Sequence, residues 1–163
     1  MIKNTLCAVG LLFVGMVSAV SCSSDDDKYH SESPRFSDIT LADLATGETT
    51  IRAGEPFVAT AVQSSKGKLL NSTQYKWDIV NEESDTHKYT SRVVYDHESS
   101  NPSDTIVIPN AGRYELTFSA DYNVSGIATG SNFTESLGSG GTATYQASSL
   151  KFKVKLSKTV VVR

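Results

Sequence analysis

From Phe36 onward, apolar residues recur at every second position in short runs, and turn-forming residues separate the runs. A period of two sends successive side chains to opposite faces of an extended chain, so each run reads as a half-buried β-strand. Residues 74–80 place Tyr75, Trp77 and Ile79 on one face. Residues 113–120 do the same with Tyr114, Leu116, Phe118 and Ala120, and residues 150–156 with Leu150, Phe152, Val154 and Leu156. Further β-rich runs cover 36–41, 49–52, 56–62, 87–95, 104–108 and 160–162. Gly47, Gly54, residues 64–67, residues 101–103 and residues 109–112 punctuate them. After residue 21 no stretch carries the i, i+3, i+4, i+7 apolar spacing of a helix. Seven to nine short antiparallel strands over residues 36–163 predict an all-β fold, a two-sheet sandwich.

The chain has two cysteines, Cys7 and Cys22, both ahead of this region. The sandwich therefore has no internal disulfide and must be held by apolar packing, for which its length suffices. Its single tryptophan, Trp77, lies on a central run and is expected to pack on Phe57, Tyr114 and Phe118.

The first 21 residues differ from the rest. Lys3 is their only charge, and a mostly apolar run from Leu6 to Val20 ends in small residues. That order is a secretory signal, and the run is shorter than the roughly 20 apolar residues a permanent span requires. Residues 18–22 read Ser-Ala-Val-Ser-Cys and resemble a bacterial lipobox. Ala19 stands where leucine is usual, a loosened form similar to lipoproteins of the Bacteroidota. The resemblance implies cleavage between Ser21 and Cys22 and a diacylglycerol, with a further acyl chain such as palmitate, on Cys22. Two or three chains give a stable membrane anchor where one is marginal. Ser24, Asp25, Asp26 and Asp27 follow, and they resemble the export signal that sends such lipoproteins to the cell surface. These readings divide the chain into a cleaved signal peptide (1–21), a lipidated and disordered acidic tether (22–35) and a sandwich (36–163). A flexible tether of that length would hold the sandwich roughly 20 Å off the outer membrane.

Two segments of the sandwich resemble PKD (polycystic kidney disease) domains, a group of Ig-like β-sandwiches. Tyr75-Lys76-Trp77-Asp78-Ile79 is similar to their Trp-Asp strand, and residues 110–118 to their Gly-x-Tyr strand. The resemblance implies that Gly112 forms a corner and that the Tyr114 hydroxyl returns to the backbone. It departs at Val80-Asn81-Glu82, where PKD domains continue Gly-Asp-Gly. Family membership implies adhesion, spacing or glycan-system roles.

Candidate sites are sparse. Residues 121–141 hold five of the eleven glycines and read as a long polar loop or hairpin arm. Within it Asn123, Ile127, Asn132 and Phe133 are candidate ligand contacts, with folding back onto the sandwich as the other reading of its apolar pair. Glu82, Glu83 and Asp85 with His87 place oxygens at calcium-like spacing, but without an EF-hand pattern they read as a solvated acidic turn. His30, His87 and His97 lack zinc spacing. Asp104-Thr105-Ile106 resembles an O-glycosylation acceptor of the same phylum, with Thr105 the acceptor if a paired strand leaves it accessible. No Gly-x-Ser-x-Gly elbow, P-loop or dinucleotide fingerprint occurs, and no cofactor is implied. Loss of Lys3 with the signal takes the net charge from −3 to −4, and no basic stripe suits nucleic acid. The sequence thus points to a non-catalytic binding or accessory module at the cell surface, with a glycan or an outer-membrane protein as partner. The other class is a structural subunit of an envelope or pilus-like layer, pairing through an edge strand at 160–163.

Overall fold

A computed structural model describes residues 29–71, 73–84, 87–95, 101–128 and 130–163, with backbone alone at 73 and 87–95. Nine strands are present among them: β1 (Arg35–Asp43), β2 (Pro56–Ser65), β3 (Thr73–Asn81), β4 (His87–Tyr95), β5 (Ser103–Val107), β6 (Gly112–Asn123), β7 (Phe133–Ser136), β8 (Thr142–Gln146) and β9 (Lys151–Val162). They form two antiparallel sheets, β1-β2-β5 and β4-β3-β6-β9-β8-β7. The chain is an all-β sandwich.

The alternation seen in the sequence is the core. Tyr75, Trp77 and Ile79 of β3 face inward beside Tyr114, Leu116, Phe118, Ala120 and Tyr122 of β6, and all are buried. Phe152, Val154, Leu156, Val160 and Val162 of β9 continue that face. Phe57, Ala59 and Ala61 of β2 and Ile106 of β5 cover it from the smaller sheet. Trp77 is fully buried, and its ring centroid lies 4.9 Å from that of Phe118. Phe57 and Tyr114 belong to the same cluster.

β1 departs from strict alternation. Phe36 and Ile39 are three residues apart, yet both are buried. Irregularities in register between Arg35 and Phe36 and between Phe36 and Asp38 shift the strand so that both reach the core. At the other end of the domain the Tyr114 hydroxyl donates to the Asn110 carbonyl at 3.0 Å, the return to the backbone expected there.

Three sequence expectations change. Residues 49–52 make no strand, and Ile51 forms a single parallel bridge to Val162. Residues 150–156 and 160–162 are one strand, because β6 pairs with β9 without a break from Gly112↔Val162 to Asn123↔Lys151. Leu150 is not on its inner face: it precedes β9 at φ 50° and is 56% exposed. Of the two readings of residues 121–141 the hairpin arm holds in part, since β6 runs to Asn123 and β7 with β8 adds a hairpin outside β9.

The tether boundary moves as well. Residues 29–34 carry little to bury, but their backbone is paired: His30 bridges Ile127, and Glu32 bridges Lys68. Ser33 is buried, with its hydroxyl donating to Glu135 at 2.7 Å. Backbone and hydroxyl hydrogen bonds thus dock a segment that apolar content alone would leave free.

Candidate functional site

The strands give the sandwich two poles. β1, β6 and β9 run between them, and Arg35, Asn123 and Lys151 lie at one end while Asp43, Gly112 and Val162 lie at the other. The described chain begins at the first, the proximal pole, where Tyr29 accepts a hydrogen bond from the Ile127 amide at 2.7 Å.

Toward the distal pole an open cleft of about 500 Å³ lies between the two sheets. One wall is β1, with Asp38, Thr40 and Leu41, and the other is the second half of β9, with Lys158, Val160 and Val161. Thr50 and Ile51 of the β1–β2 connection and Arg163 line the remainder. The cleft exists because β8 stops pairing with β9 at Lys155. Beyond it, among the described residues, residues 157–161 have no strand on that side until Val162 meets Ile51. A hydrogen bond from the Arg163 amide to the Ile51 carbonyl (3.0 Å) and one from the Ala53 amide to the Arg163 carbonyl (2.9 Å) secure that last contact. The 3₁₀ turn Gly138–Gly140 borders the cleft at the β8 side. It approaches so near that a side chain at Gly138 would collide with the Ser37 backbone.

Lys158 occupies a core-facing position, two residues from each of buried Leu156 and Val160. Its ammonium crosses the seam and donates to Asp38 Oδ1 (3.0 Å) and Oδ2 (3.2 Å) and to the Ile39 carbonyl. Ser139 donates to the same Oδ1 at 3.0 Å. Partial burial works against the charged form of Asp38, but hydrogen bonds from Lys158, Ser139 and the Ile39 amide outweigh it and hold the carboxyl below its ordinary range. A few residues on, the Asp43 carboxylate accepts from the Thr46 amide (2.8 Å), the Thr46 hydroxyl (3.0 Å) and the Ala45 amide (2.9 Å). The Thr46 amide is the chief cause of its lowered pKa.

The residues singled out in the sequence fall elsewhere. Ser21, Cys22, Ser24, Asp25, Asp26 and Asp27 lie outside the described residues. Asn123 ends β6 opposite Lys151, and its carbonyl accepts from the Asn71 amide at 2.9 Å. The Asn132 side-chain oxygen accepts from the Ala147 amide at 2.8 Å, so it braces the β7–β8 hairpin. Phe133 folds back, its ring 5.5 Å from Tyr145 and 5.9 Å from Phe152. Ile127 alone of this set presents a large apolar side chain outward, 52% exposed. Thr105 is on β5, paired with Val58, yet its side chain is exposed on this edge strand.

Glu82 is engaged by Arg113 Nε at 2.6 Å and by the Thr159 hydroxyl at 3.3 Å. Asp85 and His97 lie outside the described residues, as does the His87 side chain. Among the described residues no three His, Cys, Asp or Glu side chains converge on a metal position. The cleft was missed in the sequence because its walls come from residues 120 apart. Only Lys158, a charge at an inward position of an apolar run, could have signalled it.

No protein family, curated protein or solved structure that was compared with the chain matches it.

Proposed function

We propose that the protein is a lipid-anchored, non-catalytic binding module of a bacterial cell surface, and that its distal cleft receives an extended segment of a protein partner. The observation that carries this reading is the side of β9 away from β6 at 157–161, which no strand among the described residues pairs and which borders a cleft at the pole away from the N-terminal segment. An unpaired strand edge holds a row of backbone donors and acceptors that an added strand satisfies. Thr40 and Thr50 supply hydroxyls around it, and Leu41 and Val161 supply apolar contact. Recognition of that kind needs neither metal nor nucleophile.

The sandwich is proposed to be Ig-like. In support, β1, β2 and β5 share one sheet and β3, β6 and β9 the other, the A-B-E and C-F-G division of Ig domains. Tyr114 sits near the start of the sixth strand with its hydroxyl on the backbone four residues upstream, as in a tyrosine corner. The β7–β8 hairpin is an addition to that plan, set between the last two of these strands in sequence.

The test is crosslinking on intact cells. Photoreactive residues at Thr50 and Val161 should capture one common partner through an extended peptide, whereas one at Thr105 should not. Equal capture at all three positions removes the cleft as the contact face. The anchor is tested separately by the acylated mass of the N-terminal peptide.

A second reading, an assembly subunit, is favoured by the same open edge, because a strand from another copy would satisfy it. Sedimentation of the detergent-solubilised protein separates the two. A monomer at high concentration excludes assembly through this edge.

A further inference from the structure

The proximal pole carries an unusual surface. Seven large apolar residues are exposed among the described residues, and four of them, Tyr29, Leu69, Ile127 and Leu150, are at this pole. Their exposures are 53%, 38%, 52% and 56%. They are held side by side by backbone bonds: Ile127 N–H to Tyr29 (2.7 Å), Ser125 N–H to Leu69 (2.9 Å) and Val124 N–H to Leu150 (2.9 Å). The Ser31 hydroxyl ties Leu69 to the same group at 2.8 Å.

Two of the four sit in a costly conformation. Leu69 and Leu150 both have φ 50°, a region that favours glycine or asparagine. Either residue would relieve the strain, and neither would project an apolar side chain. The hydrogen bonds to their carbonyls hold this conformation, and the outcome is two apolar side chains presented to solvent. Each of these leucines also has a lysine beside it in the chain, Lys68 and Lys151, in loose, partly exposed ion pairs with Glu32 and Asp121 at 3.8 Å.

We infer that this pole is a membrane-docking face, seated in the interfacial region of the lipid bilayer that holds the anchor. The inference rests on the lipid-anchor reading and adds an orientation to it. Tyr29 is seven residues from Cys22. Seven residues span at most about 25 Å, so an acyl chain on Cys22 keeps this pole within reach of the headgroups. An apolar tip with a tyrosine and flanking lysines matches the chemistry of that layer. The aliphatic side chains enter the acyl boundary, the phenol stays among headgroups, and the ammonium groups exchange loose carboxylate pairs for phosphates. The bilayer then fixes the long strands upright, and the cleft faces outward.

The test uses the full acylated protein in vesicles of phosphatidylethanolamine and phosphatidylglycerol. Cys22 is the only cysteine after residue 21 and its sulfur carries lipid, so Ile127→Cys, Leu150→Cys and Val107→Cys each supply a unique thiol for a nitroxide label. Collision with oxygen relative to a water-soluble nickel chelate should be several-fold higher at 127 and 150 than at 107. Equal, water-like ratios at all three positions in acylated protein overturn the docking and leave the anchor standing. A protein without acyl mass overturns the anchor and the docking with it. Shielding that varies with the protein-to-lipid ratio assigns the face to a second copy and also overturns the inference.

Discussion

The Lys158 ammonium lies 3.0 Å from Asp38 Oδ1, and this contact bridges the two sheets where the strands themselves leave a gap. The residues are 120 positions apart, one on the outermost strand of the smaller sheet and one on the part of β9 that β8 does not reach. Both side chains are about 40% exposed, 36% for Lys158 and 42% for Asp38, so solvent screens the pair.

That screening sets the first prediction. Replacing Lys158 with threonine should change stability by about 1 kcal/mol or less, as for exposed pairs generally. Its larger effect should be on association. An inward-pointing charge is one device that keeps a free strand edge from pairing with another copy. The Lys158→Thr protein should therefore self-associate at concentrations where the parent stays monomeric. Sedimentation velocity checks this, and an unchanged monomer shows that the edge is protected by other means.

Acid should loosen the same region. The folded pKa values of Asp38 and Asp43 lie below the ordinary 3.8. A lowered carboxyl contributes stability that is present above its unfolded pKa and lost as pH falls through its folded pKa. The loss should thus begin near pH 4 and continue below it, with no effect between pH 6 and 8 from these two groups. Urea midpoints measured from pH 7 to 2 will show the slope. The Asp38→Asn, Asp43→Asn double variant should flatten it, and an equally steep acid limb in that variant would place the titration in other carboxyls.

Trp77 tests the core. It is fully buried against Phe118, and its Nε1–H has no hydrogen-bond partner among the described residues. Trp77→Ala should cost roughly 3–5 kcal/mol through the cavity it leaves. Trp77→Phe should cost clearly less, because it keeps an aromatic ring near Phe118 and removes an unpaired polar group along with the lost volume. Equal costs for the two would show that the indole N–H is satisfied in solution.

The sandwich was legible because burial on one face of a strand writes itself into the sequence as alternation. Tyr75-Trp77-Ile79 and Tyr114-Leu116-Phe118-Ala120 announce β3 and β6 without help from elsewhere. Where the physics is not apolar burial the sequence is silent. The β7–β8 hairpin has four-residue and five-residue strands of largely small and polar residues, and its two aromatic residues, Phe133 and Tyr145, gain meaning only against Phe152. Leu150 extends the apparent period of β9, but its positive φ turns the side chain out. The seam pair Asp38–Lys158 and the docking of residues 29–34 rest on polar contacts between distant segments, which leave no periodic trace.

Gly126 carries the last prediction. A Cβ there would lie 2.5 Å from the Tyr29 carbonyl oxygen, 2.6 Å from Leu69 Cδ1 and 2.9 Å from Ser31 Oγ. Two of these contacts belong to the N-terminal segment, so glycine is what lets that segment close against the β6–β7 connection. In Gly126→Val the segment must move away. The bonds from Ser31 N–H to Ile127 (2.8 Å), Ile127 N–H to Tyr29 (2.7 Å) and Glu32 N–H to Lys68 (3.0 Å) then fail together. At a net of roughly 1 kcal/mol per bond, the variant should lose about 1–3 kcal/mol. Hydrogen exchange should rise at Ser31, Glu32 and Ile127 while amides of β3 and β6 keep their protection, since Trp77 and Phe118 are untouched. Protection retained at Ser31 in the valine protein would mean that the segment finds another seat. Uniform loss across β3 and β6 would make the segment part of the cooperative core instead of an attachment to it.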